Sequence, residues 1–210
     1  EAHDGTIHDA ETGEVVEEEE EEEVVTSLAS PIPYSEVDWT RPGGVIEDIA
    51  DWIVSMAPRP NRRMAVMAAI TFVSTICSRH VSTPKGGSVA LYTICVAESG
   101  AGKDAPMKAM TTIAKRSGLD FLIKSDKITT SLALEESLKN SPVQLIPADE
   151  VGKRIFAKAK SRKASSYESE MIQTLLSLWS SNSSTFMRTT TKVVGEGATI
   201  HYPCLALFGV

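Results

Sequence analysis

The sequence predicts an α/β fold with three layers, in which helices cover a parallel sheet. Short segments rich in Val, Ile and Leu alternate with longer segments of helical periodicity, and a glycine-rich loop joins one predicted strand to the next helix. The composition is ordinary for a globular chain, since 42% of its 210 residues are hydrophobic and 23% are charged. We divide the chain into an acidic linker (residues 1–38), a helical pair (39–86) and an α/β core (87–210).

Acidic charge is concentrated at one end of the chain. The formal net charge is −7, but residues 1–24 contain 12 of the 28 acidic residues and no Lys or Arg. The rest of the chain carries 16 acidic against 21 basic residues, a net of +5. Seven consecutive glutamates at 17–23 repel one another, so we expect a disordered linker. The alternative is a mimic of nucleic acid that shields the basic remainder.

Cysteine spacing and hydropathy argue against a disulfide-bonded or zinc-binding protein and against a membrane-spanning protein. Three widely spaced cysteines, Cys77, Cys95 and Cys204, form neither a disulfide framework nor a zinc motif, which favours a reducing, cytoplasmic compartment. The longest apolar run, residues 64–77, has 14 residues, whereas a membrane-spanning helix needs about 20. The run predicts a buried helix, and we expect no membrane partner.

The helical pair is predicted from periodicity and from residues typical of helix ends. Apolar residues recur at intervals of three and four from Ile46 to Met56, which predicts a helix over residues 45–57 that ends before Pro58. Asn61 is predicted to cap a second helix that runs to about residue 79. Because this second helix is apolar on nearly every side, it should be buried.

The elements of the core follow in chain order. They are a strand at 88–97, helices at 103–117 and 130–140, a strand at 143–148, a helix at 166–179, a hairpin formed by 189–194 and 198–202, and a strand at 204–210. No closing helix follows the last predicted strand, so we expect the chain to be a C-terminally truncated piece of a longer protein.

A glycine-rich loop with the sequence AESGAGKD occupies residues 97–104, between the first predicted strand and a helix. In the phosphate-binding pattern G-x-x-x-x-G-K-[ST], glycines let backbone N–H groups point at phosphate oxygens, and the lysine reaches the outer phosphates. Two positions differ from the pattern: Ala97 replaces Gly, and Asp104 replaces Ser or Thr. The alternative is a glycine-rich turn with a solvated lysine. The residues predicted to bind nucleotide are Glu98, Ser99, Gly100, Ala101, Gly102, Lys103 and Asp104.

Two adjacent acidic residues, Asp149 and Glu150, end the second predicted strand. In phosphoryl transfer such a pair holds Mg²⁺ and orients the attacking water, so we predict Lys103 and Glu150 as catalytic residues. Asp149 is the predicted Mg²⁺ ligand, and Asp104 is a second candidate, because carboxylate oxygens suit this ion. Pro147 is unfavourable in a central strand, and the alternative is a helix N-terminus that faces water.

These elements together carry a resemblance to a known family. The matching segments are residues 45–53, 57–60, 98–103, 149–152 and 178–209. Over residues 42–210 the chain resembles the P-loop ATPase domain of phage, prophage and plasmid primase-helicase proteins, which is related to the superfamily 3 helicases of the AAA+ class. The resemblance implies an AAA+-like P-loop NTPase fold, ATP and Mg²⁺ as cofactors, single-stranded DNA as a partner and a homo-oligomeric ring, a hexamer.

The same resemblance implies a primase domain or partner, the cytoplasm of a bacterial host cell, and a polar sensor residue beyond Val210. The arginine finger of such rings is not assigned, and Arg154 and Arg188 are candidates for it.

Basic residues are concentrated between residues 151 and 192, with eight bases against two acids. Clustered Lys and Arg attract a phosphate backbone without reading its sequence. For residues 158–163 the alternative is a mobile loop that is basic for solubility, and base stacking is not predicted because no aromatic residues interleave among them. The residues predicted to contact DNA are Lys158, Lys160, Arg162, Lys163 and Lys192.

Taken together, the motifs predict an ATP-hydrolysing DNA motor of the helicase or translocase type in phage or mobile-element replication. Two alternatives stay open. Ala97, Asp104 and Pro147 favour a module that binds nucleotide without hydrolysis and acts as a DNA-binding or assembly factor. A P-loop kinase shares the glycine-rich loop and would require a lid with arginines directed at the phosphates.

Overall fold

A computed structural model describes residues 37–98, 100–126, 130–157, 166–187 and 199–210. Within this part of the chain, the residues from Asp38 to Val210 form one compact unit. The predicted acidic linker lies outside the described residues, except for its last two positions.

Five α-helices and five strands are described. In chain order they are α1 (Gly44–Met56), α2 (Arg62–Cys77), β1 (Tyr92–Ile94), α3 (Asp104–Arg116), α4 (Ser131–Asn140), β2 (Val143–Ala148), α5 (Ser166–Ser180), β3 (Thr185–Met187), β4 (Thr199–His201) and β5 (Cys204–Gly209). A 3-10 turn spans Asp120–Leu122, and a π-helical turn spans Gly152–Ala157. Of the helices in these described ranges, none is both long enough and apolar enough to pass through a membrane.

Three strands form a parallel sheet with the strand order β1-β5-β2, so β5 pairs with both of the others. Tyr92 of β1 lies opposite Leu207 of β5, and Val143 of β2 lies opposite Cys204. β5 can occupy the centre because all six of its residues are buried, as expected for a strand covered on both faces. The predicted α/β class with a parallel sheet is confirmed.

Helices cover both faces of this sheet. Successive strand residues point to opposite faces, so Phe208 of β5 packs into a core with α1, α2 and α3, whereas Leu207 packs into a core with α4 and α5. β2 repeats this division, with Leu145 in the first core and Ile146 in the second. The sheet therefore forms the middle of three layers, and the α1–α2 pair contributes to the same core as α3.

Contacts made by the first residues of α2 fix the two helices of the α1–α2 pair relative to each other. Asn61 caps α2, since its side-chain oxygen accepts a hydrogen bond from the Met64 N–H at 3.2 Å. The Arg62 guanidinium pairs with Asp51 and, at 3.4 Å, with Glu47, both on α1. These contacts hold the short connector between the helices, residues 57–61, in a defined position.

Two strands differ from their predicted bounds. β1 has only three paired residues, those opposite Leu207–Gly209 of β5, although residues 88–97 have strand composition. In the antiparallel pair, β4 (Thr199–His201) falls within the predicted second hairpin strand, but its partner β3 (Thr185–Met187) precedes the predicted first strand. Three residues are too few for a period to stand out in the sequence. The predicted segment 189–194 lies outside the described residues.

Pro147 is compatible with β2 because of its position in the sheet. β2 is the outermost of the three strands, and only an isolated parallel bridge, Ile123 to Leu145, lies on its far side. The Ala148 carbonyl accepts from the Val210 N–H at 3.1 Å, so Ala148 directs its backbone groups toward the β5 side. Its neighbour Pro147 directs them the other way, and its missing N–H removes no bond to β5.

Candidate functional site

The glycine-rich loop follows β1 at the carboxyl edge of the sheet. Gly100 and Gly102 adopt left-handed backbone conformations, with φ of 82° and 80°, which side-chain-bearing residues rarely adopt. Lys103 already has helical dihedral angles, and Asp104 begins α3. The first N–H groups of a helix lack intrahelical partners, so this end of α3 offers donors and a positive dipole end to an anion.

The two departures from the phosphate-binding pattern have different structural meanings. Ala97 is outside the left-handed region, so the backbone at this position does not require glycine. Asp104 is exposed on the first turn of α3 and lies 4.0 Å from the Lys108 ammonium, one helical turn further on. This pair screens part of the negative charge that Asp104 brings next to the loop.

The loop is in direct contact with the connector between α1 and α2. The Arg59 guanidinium donates to the Gly100 carbonyl at 3.0 Å, and the Asn61 side-chain amide donates to the Ala101 carbonyl at 3.4 Å. A Cβ atom on Gly102 would clash with the Arg59 backbone oxygen. Arg59 was not predicted as a site residue, although residues 57–60 are one of the segments that carry the family resemblance.

A cleft of about 600 Å³ opens beside the loop, between α1 and α3. It is lined by Gly100, Gly102 and Lys103 and by the large apolar side chains of Trp52 and Met56 on α1. Ligand sites in proteins commonly have this volume and this combination of an apolar wall with a few polar groups. Lys103 is therefore placed where it can reach a ligand in this cleft.

The two predicted acidic residues lie at the same edge of the sheet as the glycine-rich loop. Asp149 and Glu150 directly follow β2, and because β1 and β2 are parallel their carboxyl ends share one edge. One strand, β5, separates them, so the two strand ends are about 10 Å apart. Both acids are exposed, and the Glu150 carboxylate lies 3.7 Å from the Lys153 ammonium.

The loop and Asp149 line different clefts, and Glu150 lines neither of these two clefts. Asp149 lines a second, open cleft of about 590 Å³, whereas Lys103 and Asp104 line the first. Lys108 and Thr112 line both, so the two clefts adjoin along α3. A ligand that contacts both Lys103 and Asp149 would have to extend from the first cleft into the second.

Among the described residues, Mg²⁺ could be held by one or two carboxylates together with a phosphate ligand. No group of three or more His, Cys, Asp or Glu side chains converges anywhere in the described ranges. Mg²⁺ is often held by one or two carboxylates together with substrate phosphates and water, so an exposed Asp149 or Asp104 fits such a role. The ion would depend on a bound phosphate ligand to complete its coordination.

The turn that carries the acidic pair is attached to the end of the central strand. The Val151 N–H donates to the Val210 carbonyl at 3.1 Å, and Glu150 adopts a left-handed backbone conformation with φ of 51°. A Cβ on Gly209 would overlap the Val151 side chain, so only glycine allows this close packing. Sequence reasoning missed both Val151 and Gly209, although a glycine inside an apolar strand is a signal of close approach.

One cysteine lies close to this edge. Cys95 follows β1, and its N–H donates to the Gly209 carbonyl at 2.8 Å. Burial raises the pKa of the Cys95 thiol, which keeps it protonated and argues against a nucleophilic thiolate.

Several predicted site residues lie outside the described part of the chain. They are Ser99, Lys158, Lys160, Arg162, Lys163, Arg188 and Lys192. Arg154 belongs to the π-helical turn Gly152–Ala157 that follows the acidic pair.

Comparisons of the chain with protein-family models, with characterised proteins and with solved structures find no match.

Proposed function

We propose that this chain is a P-loop ATPase that acts as a DNA motor, of the kind it resembles in phage and plasmid primase-helicases. One observation carries the proposal. A loop with two left-handed glycines and a lysine joins a parallel strand to a helix N-terminus and opens onto a cleft of ligand size. Loops of this form bind phosphate groups through backbone N–H donors and the helix dipole.

Each site residue has a role in this proposal. Lys103 binds the outer phosphates as a point charge, together with the N–H groups of Gly100 and Gly102. Asp149 would hold Mg²⁺, with Asp104 as the second candidate, and a bound ion would supply charge neutralisation at the phosphates. Glu150 orients the water that attacks the terminal phosphorus as the bond to the bridging oxygen breaks.

The sheet supports coupling between hydrolysis and movement. β5 lies between the loop strand and the acidic strand, and only Tyr202 and Pro203 separate it from β4. In this proposal a shift at the acidic turn, which contacts Val210 after β5, reaches the β3–β4 pair along the whole buried length of β5. DNA contacts by Lys158, Lys160, Arg162, Lys163 and Lys192, a hexameric ring, a primase partner and a bacterial host belong to the same proposal.

The test is substitution of the loop lysine. We expect Lys103→Ala to lower ATP turnover by about 100-fold or more, because a preorganised charge at the transferred phosphoryl group is lost. Lys115→Ala is the matched control, since Lys115 is exposed on the last turn of the same helix. Steady-state phosphate release measures both variants, and unchanged turnover in Lys103→Ala would overturn the proposal.

A second function is favoured by the separation of the two clefts. If Asp149 and Lys103 stay in different clefts when nucleotide binds, the chain binds ATP but does not hydrolyse it. ATP affinity measured together with turnover, with and without single-stranded DNA, separates the two functions. Affinity without turnover in either condition selects the binding module.

A further inference from the structure

We infer that the cleft between α1 and α3 is a slot for the base of a nucleotide, with Trp52 and Met56 as its apolar wall. The inference rests on the proposed nucleotide site, and it specifies which residues contact the base of the bound nucleotide. It assigns a ligand contact to α1, a helix that lies outside the phosphate-binding motif.

The wall on α1 consists of large side chains directed toward the cleft. Trp52 and Met56 are four residues apart, so they lie on the same face of the helix. Trp52 is partly buried and packs against the core, which fixes the position of its ring. Met56 is 59% exposed, although the same helix buries Ala50 and Ile53. An exposed, flexible methionine beside a fixed indole is suited to contact a flat apolar ligand.

The opposite wall on α3 consists of small and polar side chains. Ala105 and Ala109 line the cleft on this side, and their size leaves room for a ring to lie against Trp52. Asp104, Lys108 and Thr112 recur every four residues along the cleft, a span of about 12 Å. The cleft therefore extends from the glycine loop along two turns of α3, the direction in which ribose and base would follow the phosphates.

The cleft combines two kinds of lining. Lys103, Arg59 and the loop backbone provide positive charge and N–H donors, and Trp52 and Met56 provide apolar surface. A ligand that satisfies both kinds of lining carries negative charge and also a flat, largely apolar ring. A nucleoside triphosphate has both parts, whereas inorganic tripolyphosphate has only the charged part.

The experiment compares two ligands on one set of variants. Dissociation constants for ATP and for inorganic tripolyphosphate, both with Mg²⁺, are measured for the whole chain and for Met56→Ala and Trp52→Leu. Aromatic stacking predicts that Trp52→Leu weakens ATP binding by about fivefold or more and leaves tripolyphosphate binding unchanged. Thr112→Phe fills the slot from the other wall and should have the same selective effect.

Val45→Ala is the control, since Val45 lies on α1, is also 59% exposed and does not line the cleft. Met56→Ala changes an exposed side chain, so it keeps the test informative if Trp52→Leu fails to fold. ATP binding that is unchanged in Met56→Ala, Trp52→Leu and Thr112→Phe, or an equal loss for both ligands, would overturn the base slot while leaving the phosphate site intact. If the unsubstituted chain binds neither ligand, the proposed function itself fails.

Discussion

Two glycines with similar backbone angles have different surroundings. Gly102 (φ 80°) and Gly118 (φ 68°) both adopt the left-handed conformation. A Cβ on Gly118 would meet no atom within 4 Å, whereas one on Gly102 would clash with the Arg59 backbone. The conformational requirement is thus shared, but only Gly102 is also required for a tertiary contact between the loop and the connector.

Alanine at these two positions separates the two requirements. We expect Gly118→Ala to cost about 1 kcal/mol of unfolding free energy, from the left-handed backbone alone. Gly102→Ala should cost more and weaken ATP binding, because Arg59 and the loop must move apart. Urea unfolding and ATP titration measure these effects. Equal stability losses with unchanged affinity in both variants would contradict this account.

Helix caps show how one side chain can serve both an element and the site. Asn61 caps α2 through its oxygen and contacts Ala101 of the loop through its nitrogen. Thr130 caps α4 in the same way, with its hydroxyl accepting from the Ala133 N–H at 3.2 Å. Neither residue lines the first cleft, but Asn61 contacts the loop that does. The two caps should therefore contribute similarly to the stability of the protein, but only Asn61 also contacts the site.

Substitution of the caps should separate stability from binding. We expect Asn61→Ala and Thr130→Ala each to lower the unfolding free energy by about 1 kcal/mol. Only Asn61→Ala should also weaken ATP binding. Asn61→Asp keeps an oxygen for the cap but loses the amide donor to Ala101, so it should weaken binding at nearly unchanged stability. A loss of affinity in Thr130→Ala equal to that in Asn61→Ala would show that the effect is global.

At the scale of the whole molecule, the central strand joins two cores. Phe208 and Leu207 are adjacent in β5 but pack on opposite faces of the sheet. Both are almost fully buried, with 0% and 3% exposure. Because one strand contributes to both layers, neither core can lose its packing without affecting the other.

Truncation on either face should therefore destabilise a single cooperative unit. We expect Phe208→Ala and Leu207→Ala each to lower the unfolding free energy by roughly 3 kcal/mol. Circular dichroism and tryptophan fluorescence should report coincident unfolding transitions in both variants. Met187→Ala, at a side chain that is 74% exposed, should have an effect below about 0.5 kcal/mol. A biphasic transition in Leu207→Ala would show that the two layers unfold independently.

Much of the local structure follows from local sequence signals. The periodicity of α1, the Asn61 cap of α2 and the apolar run of β2 predict elements close to those observed, because each signal acts within one or two helical turns. The glycine-rich loop is recognisable for the same reason, since the backbone angles of Gly100 and Gly102 are a local property. The short strand β3 has no comparable signal.

By itself, the sequence determined the class of the fold, the positions of most helices and the loop at which an anion could bind. Only the tertiary structure decided which strands are neighbours and that Pro147 lies at the outer side of the sheet. It also brought Arg59 to Gly100, 41 residues further along the chain. Such contacts depend on packing between distant segments. Their interaction energy depends on both partners together, so the sequence of either segment alone does not indicate it.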